Sequence, residues 1–231
     1  MTRLAQLAEE VVACRRCPRL VAYLGEVART KRRAYRDQEY WGRPVPGSGD
    51  PRARVLIVGL APAAHGAART GRVFTGDESS QFLARALHRA GWSSQPFSVS
   101  RDDGRKLREV YITLAARCAP PDNRPAPEEL RACRPYLEEE LRILSRLRVV
   151  VALGRIAFDA TLAAGASAGW SVPARKPVFA HGAEIDLDGR RLIASYHPSP
   201  QNTKTGKLTA AMFDAVFDRA RRILETKPSV A

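Results

Sequence analysis

The chain has 231 residues, 45% of them hydrophobic and 7% aromatic, which supports one large domain or two small ones around a real core and excludes disorder or a collagen-like repeat. No apolar run approaches the roughly 18 residues needed to cross a bilayer, and the start MTRLAQLAEE has no signal-peptide apolar stretch, so a soluble cytoplasmic protein with no membrane partner is expected. The 38 Lys+Arg against 24 Asp+Glu leave a formal charge of +14; ion-pair networks would need acids in similar number, so the surplus points to a polyanionic partner.

Along the chain, residues 2–13 place Leu4, Leu7, Ala8, Val11 and Val12 at helical spacing, a short helix leading into Cys14. An Arg-rich stretch follows and ends in the turn-rich residues 44–51, which read as an exposed connector. ARVLIVGLAPA (53–63) is an apolar run of strand length, and SSQFLARALHRAGW reads as a helix capped by Ser79 or Ser80. REVYITLAARC (108–118) repeats the strand pattern, and PPDNRPAPEEL starts a helix at Pro127 that Pro135 should kink. LRVVVALGRIAFDATLAAG (147–165) is a third strand-helix unit, and RLIASYHPSP (191–200) is a fourth strand running into a polar loop. In the C-terminal helix Met212, Phe213, Val216, Phe217, Ala220, Ile223 and Leu224 form an inward stripe. Four such alternations predict an α/β fold, with a mostly parallel sheet covered by helices on both faces. Its ligand should lie beyond the strands' carboxyl ends, among residues 59–77, 116–123, 154–156 and 197–203.

The only cysteines are Cys14, Cys17, Cys118 and Cys133, a C-x2-C pair followed by gaps of 100 and 14 residues. Without a secretory signal a disulfide framework is not expected. The count suits either a four-thiolate zinc site or a [4Fe-4S] cluster; the missing second C-x2-C of a zinc ribbon favours iron-sulfur. The competing reading is four unrelated buried thiols. Either metal centre would tie an N-terminal arm, about residues 1–50, to the segment 116–133.

The segment GLAPAAHGAARTGRVFTGD (59–77) has glycines that let backbone approach a ligand, and it lacks the G-x4-G-K-[ST] of a P-loop. His197 directly follows a strand and precedes a proline, which sets it apart from His65, His88 and His181, read as structural. Asp77 could equally cap a helix, and Asn123 could equally make a turn between prolines.

The N-terminal C-x2-C, GLAPAAHGAARTGRVFTGD, RCAPPDNRPAPEELRAC and SYHPSPQNT together resemble the uracil-DNA glycosylase superfamily, specifically its family 5 (type B) enzymes, over nearly the whole chain. The resemblance implies one domain over 1–231, a three-layer α/β/α sandwich with a four-stranded, mostly parallel central sheet, and a [4Fe-4S] cluster on Cys14, Cys17, Cys118 and Cys133. It implies excision of uracil from DNA, with hypoxanthine and xanthine as further deaminated substrates, and a monomer is expected. Asp77, Asn123 and His197 match the family's catalytic residues: His197 a donor to the departing base, Asp77 a carboxylate that orients water or stabilises the cationic sugar, Asn123 a supporting polar group. Gly59, Ala61, Phe74, Gly76 and Ala116 would line the base pocket, with Phe74 stacked on the flipped base. Arg69 and Arg72 would meet phosphates, and Pro198, Ser199, Pro200, Gln201 and Asn202 would enter the minor groove.

Two departures stand out. Other classes carry an acid after the first strand where this chain has Leu60 and Ala61, which shifts the burden to Asp77. Several relatives carry an Asn in the second strand that reads uracil's edge, where this chain has Leu114, Ala115 and Ala116. Loss of a buried polar reader should relax base discrimination. The rival reading is a noncatalytic iron-sulfur or zinc DNA-binding module on the same fold. A zinc nucleobase deaminase is disfavoured, because its H-x-E and P-C-x-x-C signature is absent.

Overall fold

The structure is a computed structural model that describes residues 2–226. Its helices are α1 (Arg3–Ala13), α2 (Pro18–Thr30), α3 (Ala67–Thr70), α4 (Glu78–Arg89), α5 (Pro127–Ile143), α6 (Arg155–Ser167), α7 (Pro200–Lys204) and α8 (Ala210–Glu225). The strands are β1 (Ser48–Gly49), β2 (Val55–Gly59), β3 (Val110–Leu114), β4 (Val149–Leu153), β5 (Glu184–Leu187) and β6 (Arg190–Ser195). They form one sheet in the order β1-β3-β2-β4-β6-β5.

The four apolar runs in the sequence are the four central strands. They pair in parallel, Val55 with Val110 on one side and Val149 on the other, and Val149 with Arg191. β2, β3 and β4 are buried at every position, as strands covered on both faces must be. Alternate residues feed two cores. Val55, Ile57, Ile112, Val149, Val151 and Ile193 pack against Leu83 and Leu87 of α4 and Phe213, Val216 and Phe217 of α8. Leu56, Val58, Tyr111, Val150, Ala152 and Leu192 face α5 and α6 through Leu137, Leu141, Phe158 and Leu162. Each such buried aliphatic side chain contributes about 1.5–3 kcal/mol relative to exposure.

The sheet has six strands and not the expected four, because β1 and β5 add short antiparallel edges to β3 and β6. Residues 44–51 are not an exposed connector: Pro44 and Val45 are buried, and Val45 donates its N–H to the Arg117 carbonyl. The helix expected to begin at Ser79 or Ser80 is capped by Asp77, and α5 continues through Pro135 as one element. The N-terminal arm holds a helix beyond α1, the unexpected α2. It buries Leu20 and Leu24 against Ala68, Cys118 and Ala119, while α1 buries Leu7 and Val11 against Tyr136 of α5. Among the described residues no helix is long and apolar enough to cross a membrane.

Candidate active site

The carboxyl ends of β2, β4 and β6 deliver the residues that converge. Gly59 ends β2 with no side chain, and a Cβ there would lie 2.7 Å from the Phe74 ring, so that ring occupies the space above the strand end. Phe74 is buried in a left-handed conformation, φ 45°, that an L side chain adopts only under constraint. The constraint is visible: the Ser98 hydroxyl donates to the Phe74 carbonyl at 2.9 Å and pairs with the Thr75 hydroxyl. The Phe74 and His197 rings stand 6.0 Å apart.

His197 follows β6 directly. Its backbone carbonyl accepts from Asn202 Nδ2 at 2.8 Å, and Gly154, just past β4 with φ 96°, sits beside it, where an added Cβ would lie 3.5 Å from the His197 Cβ. Some ring surface still meets solvent, yet burial against these neighbours drives the imidazole pKa down to about 4. At neutral pH the ring is therefore uncharged and offers one N–H donor. Ser199 caps α7, whose Lys204 bridges to Glu78 in the first turn of α4 at 2.8 Å. That bridge pins the His197 loop against the helix that Asp77 caps.

Asp77 does what capping residues do, but with half of its carboxylate. Oδ1 accepts from both the backbone N–H and the hydroxyl of Ser80, each at 2.7 Å. Oδ2 has no hydrogen-bond partner among the described residues and lies against Gly66, where a Cβ would come within 2.1 Å of it. One oxygen is fixed and the other is unpaired among the described residues. Gly66 lies in the glycine-rich segment expected to approach a ligand and Gly154 in the expected strand-end segment 154–156; what the sequence did not reveal is that they neighbour Asp77 and His197.

Other expected residues are placed differently. Asn123 is exposed with φ 56° and its side chain has no hydrogen-bond partner among the described residues, so nothing joins it to Asp77 or His197. Arg69, expected on phosphates, is buried: it donates to the His65 and Gly76 carbonyls and to Gln38 Oε1, and lies over the Tyr35 ring. Arg72 is likewise committed, to Asp103 Oδ2 at 2.6 Å and to Thr75, Ser98 and the Arg101 carbonyl. Both guanidiniums build the loop. Pro198 is buried and the Asn202 amide is engaged, which leaves Gln201 as the exposed tip of its loop. Ala61 and Gly76 are partly open, while Ala116 is buried.

The four cysteines meet at the other end of the loop system. Cys14, Cys17, Cys118 and Cys133 line one cavity with Arg16, Pro44, Arg117 and Glu129, and none is in a disulfide. Burial pushes the Cys118 thiol up to about 12 and Cys133 up to about 11, and Cys14 and Cys17 add to both shifts. The backbone N–H of Arg117 donates to Cys133 Sγ at 3.2 Å. Among the described residues no three Cys, His, Asp or Glu side chains stand where a single metal ion could be held.

Comparison with known proteins shows the family. The sequence pattern of the Uracil DNA glycosylase superfamily matches residues 46–221. A Type-5 uracil-DNA glycosylase of Thermus thermophilus is 55% identical over 216 residues, covering 93% of this chain and 95% of its own length. The proteins of the same name from Mycobacterium leprae and Pyrobaculum aerophilum are 50% and 51% identical, over 94% and 91% of this chain and 94% and 88% of their own.

Proposed function

The chain belongs to the uracil-DNA glycosylase superfamily, and from that premise we infer how its own residues remove uracil from DNA. The overall reaction is hydrolysis: a water oxygen bonds to the sugar C1′, the C1′–N1 bond breaks, and the base leaves with the bonding electron pair and takes up a proton. The target must first be turned out of the duplex, which costs a few kcal/mol and least at a mismatch such as U·G. As the bond lengthens, positive charge grows on the sugar and negative charge on the base. Neutral His197 donates an N–H to the base oxygen that gains charge; one preorganised donor of this kind is worth about 3 kcal/mol of barrier. Asp77 Oδ2 faces the cationic sugar or holds the attacking water, while Oδ1 stays fixed by Ser80. Phe74 provides the apolar wall on which the base lies. The exposed Gln201 fills the gap left in the stack, and Asn123 is assigned a supporting polar role by its match to the family's motif alone.

The observation that carries this reading is the His197 imidazole itself: packed on Phe74 at a strand's carboxyl end, and uncharged because burial holds its pKa near 4. The test is single-turnover cutting of duplexes with U or T opposite G. His197→Ala should slow uracil excision by about 10²-fold, and the double variant with Asp77→Ala should be nearly inert. Wild-type rates in both single variants would remove these two loops from the chemistry.

We further propose that Cys14, Cys17, Cys118 and Cys133 hold a [4Fe-4S] cluster. Support comes from four free thiols lining one cavity, and from cationic Arg16 and Arg117 beside them to offset thiolate charge. Such a cluster would cross-link the arm to the body, and hydrolysis changes no oxidation state that would draw on its electrons. Protein purified without air should carry about four irons per chain; stoichiometric zinc without iron would overturn the assignment. The third extension is base range. Leu60, Ala61, Leu114, Ala115 and Ala116 put no amide side chain at the strand ends to read uracil's edge, and we expect excision of hypoxanthine and xanthine in the same assay.

A further inference from the structure

Trp41 is half-buried and packs against the core from the loop that crosses the active-site end of the sheet. Its backbone N–H donates to the Arg69 carbonyl and that of Gly42 to the Ala68 carbonyl, and Val45 then reaches Arg117. Those partners follow the carboxyl ends of β2 and β3, so residues 41–45 share an end of the sheet with Gly59, Asp77 and His197. The indole N–H donates to the Pro44 carbonyl at 3.1 Å, which fixes the ring plane. Two guanidiniums stand over that ring, Arg43 at 3.9 Å and Arg101 at 4.0 Å from its centroid. Two like charges at such distances cannot share one face, so they flank the indole. Both residues are exposed, and neither guanidinium has an ion pair or hydrogen bond among the described residues.

This arrangement is built. Gly71, φ 77°, is the contact that lets it close, since a Cβ there would lie 2.5 Å from Arg101 Nη2 and 2.8 Å from Trp41 Cδ2. Arg101 is held from behind, its carbonyl accepting from Arg72 Nη1, and Arg72 is locked by Asp103. Cation–π contact accounts for about 0.5–1 kcal/mol at an exposed site, yet it brings two cations together with no carboxylate between them; Glu9, across the adjoining groove with Arg15, pairs with neither. Two guanidiniums held on one ring are thus free for an anion, and guanidiniums suit phosphodiester oxygens.

We propose that Arg43 and Arg101, stacked on Trp41, form a clamp for the phosphodiester backbone of the DNA strand running up to the flipped nucleotide. The proposal rests on the glycosylase reading only for the identity of the polyanion. It gives Arg72 and Arg69 a positioning role: one holds Arg101 and the other, through its carbonyl, holds Trp41.

The test measures binding to undamaged duplex as a function of salt, which does not depend on excision. Each phosphate that the protein ceases to neutralise should lower the log-log salt slope by about 0.9, so Arg43→Gln with Arg101→Gln should lower it by nearly 2. A control of equal charge change, Arg221→Gln with Arg222→Gln at the far end of α8, should lower it far less. Trp41→Leu should reduce the slope with both arginines still present, and Trp41→Phe should restore it. An unchanged slope in the Arg43/Arg101 variant, or an equal drop in the control, would overturn the clamp while wild-type excision of uracil left the glycosylase reading intact. Inactive wild-type protein that still showed the clamp's slope change would do the reverse.

Discussion

At the scale of single residues, His197 and Asp77 illustrate how packing sets chemistry. A histidine whose folded pKa lies near 4, below the unfolded value of about 6.5, binds fewer protons folded than unfolded between those limits. Its contribution to stability is therefore complete above pH 6.5 and is lost as pH falls towards 4, with a slope of at most about 1.4 kcal/mol per pH unit. We expect His197→Gln to flatten the acid side of the stability curve, read by urea unfolding from pH 4 to 7. An NMR titration of the ring should give a midpoint near 4, and the excision rate should show no inflection from this group between pH 5 and 8. A midpoint above 8 would mean the ring is charged at neutral pH and would remove its role as a neutral donor. Gly66 makes the companion case. Gly66→Ala must displace Asp77 Oδ2, since the new methyl would lie 2.1 Å away. Excision should drop towards the level of Asp77→Ala while the Ser80 contacts keep the helix cap and the melting temperature nearly unchanged. Full activity in Gly66→Ala would show that Oδ2 does not need its present position.

At the scale of elements, the join between β3 and α5 carries the largest local electrostatic commitment. Arg117 is almost wholly buried just past β3; it donates to Glu140 Oε2 at 2.6 Å and to the Thr113 hydroxyl, and Thr113 also donates to Glu140. Glu140→Ala leaves that guanidinium without its carboxylate, which in comparable buried pairs costs about 3–5 kcal/mol. Thermal unfolding should shift by roughly 2–4 °C per kcal/mol for a chain of this size. Pairing it with Arg117→Met should recover much of the loss, and a single variant within 1 kcal/mol of wild type would mean water reaches Arg117. This pair was invisible in the sequence, because Arg117 and Glu140 sit in different elements. The four central strands were legible because burial on both faces writes a continuous apolar run. β1 and β5 were not: one has two residues, and the other, Glu-Ile-Asp-Leu, is a half-exposed edge without such a run. α2 was hidden by its flanking arginines, although Leu20, Leu24 and Val27 form its stripe. In the site, Asp77 and His197 could be placed by motif, whereas Arg69 and Arg72 show that a cation in a conspicuous loop does not announce its partner. Only the fold shows that theirs are internal.

At the scale of the whole molecule, the N-terminal arm is attached in two independent ways. Leu4, Leu7 and Val11 of α1 and Leu20, Leu24 and Val27 of α2 are buried, several of them against α5 and the 116–119 segment. At about 1.5–3 kcal/mol each, these contacts favour docking whether or not the four thiols share a ligand. Arg19 adds paired hydrogen bonds to Glu129 at 2.8 and 2.7 Å. The cysteine cavity sits where the two helices turn into one another, so removal of the cluster proposed there should act there first. Hydrogen exchange on iron-loaded and chelated protein should show weakened protection around residues 14–18 and 117–133, with α1 and α2 staying protected through their apolar faces. Thermal stability should fall, because ligands binding only the folded state add to it. Pro44 lines the same cavity and accepts the Trp41 indole N–H, so the 41–45 loop should loosen in the chelated protein, and with it the salt slope of duplex binding. Exchange of the entire arm at the unfolded rate after chelation would mean the apolar contacts are too weak to dock it, and that the thiolate centre alone makes residues 1–50 part of the fold.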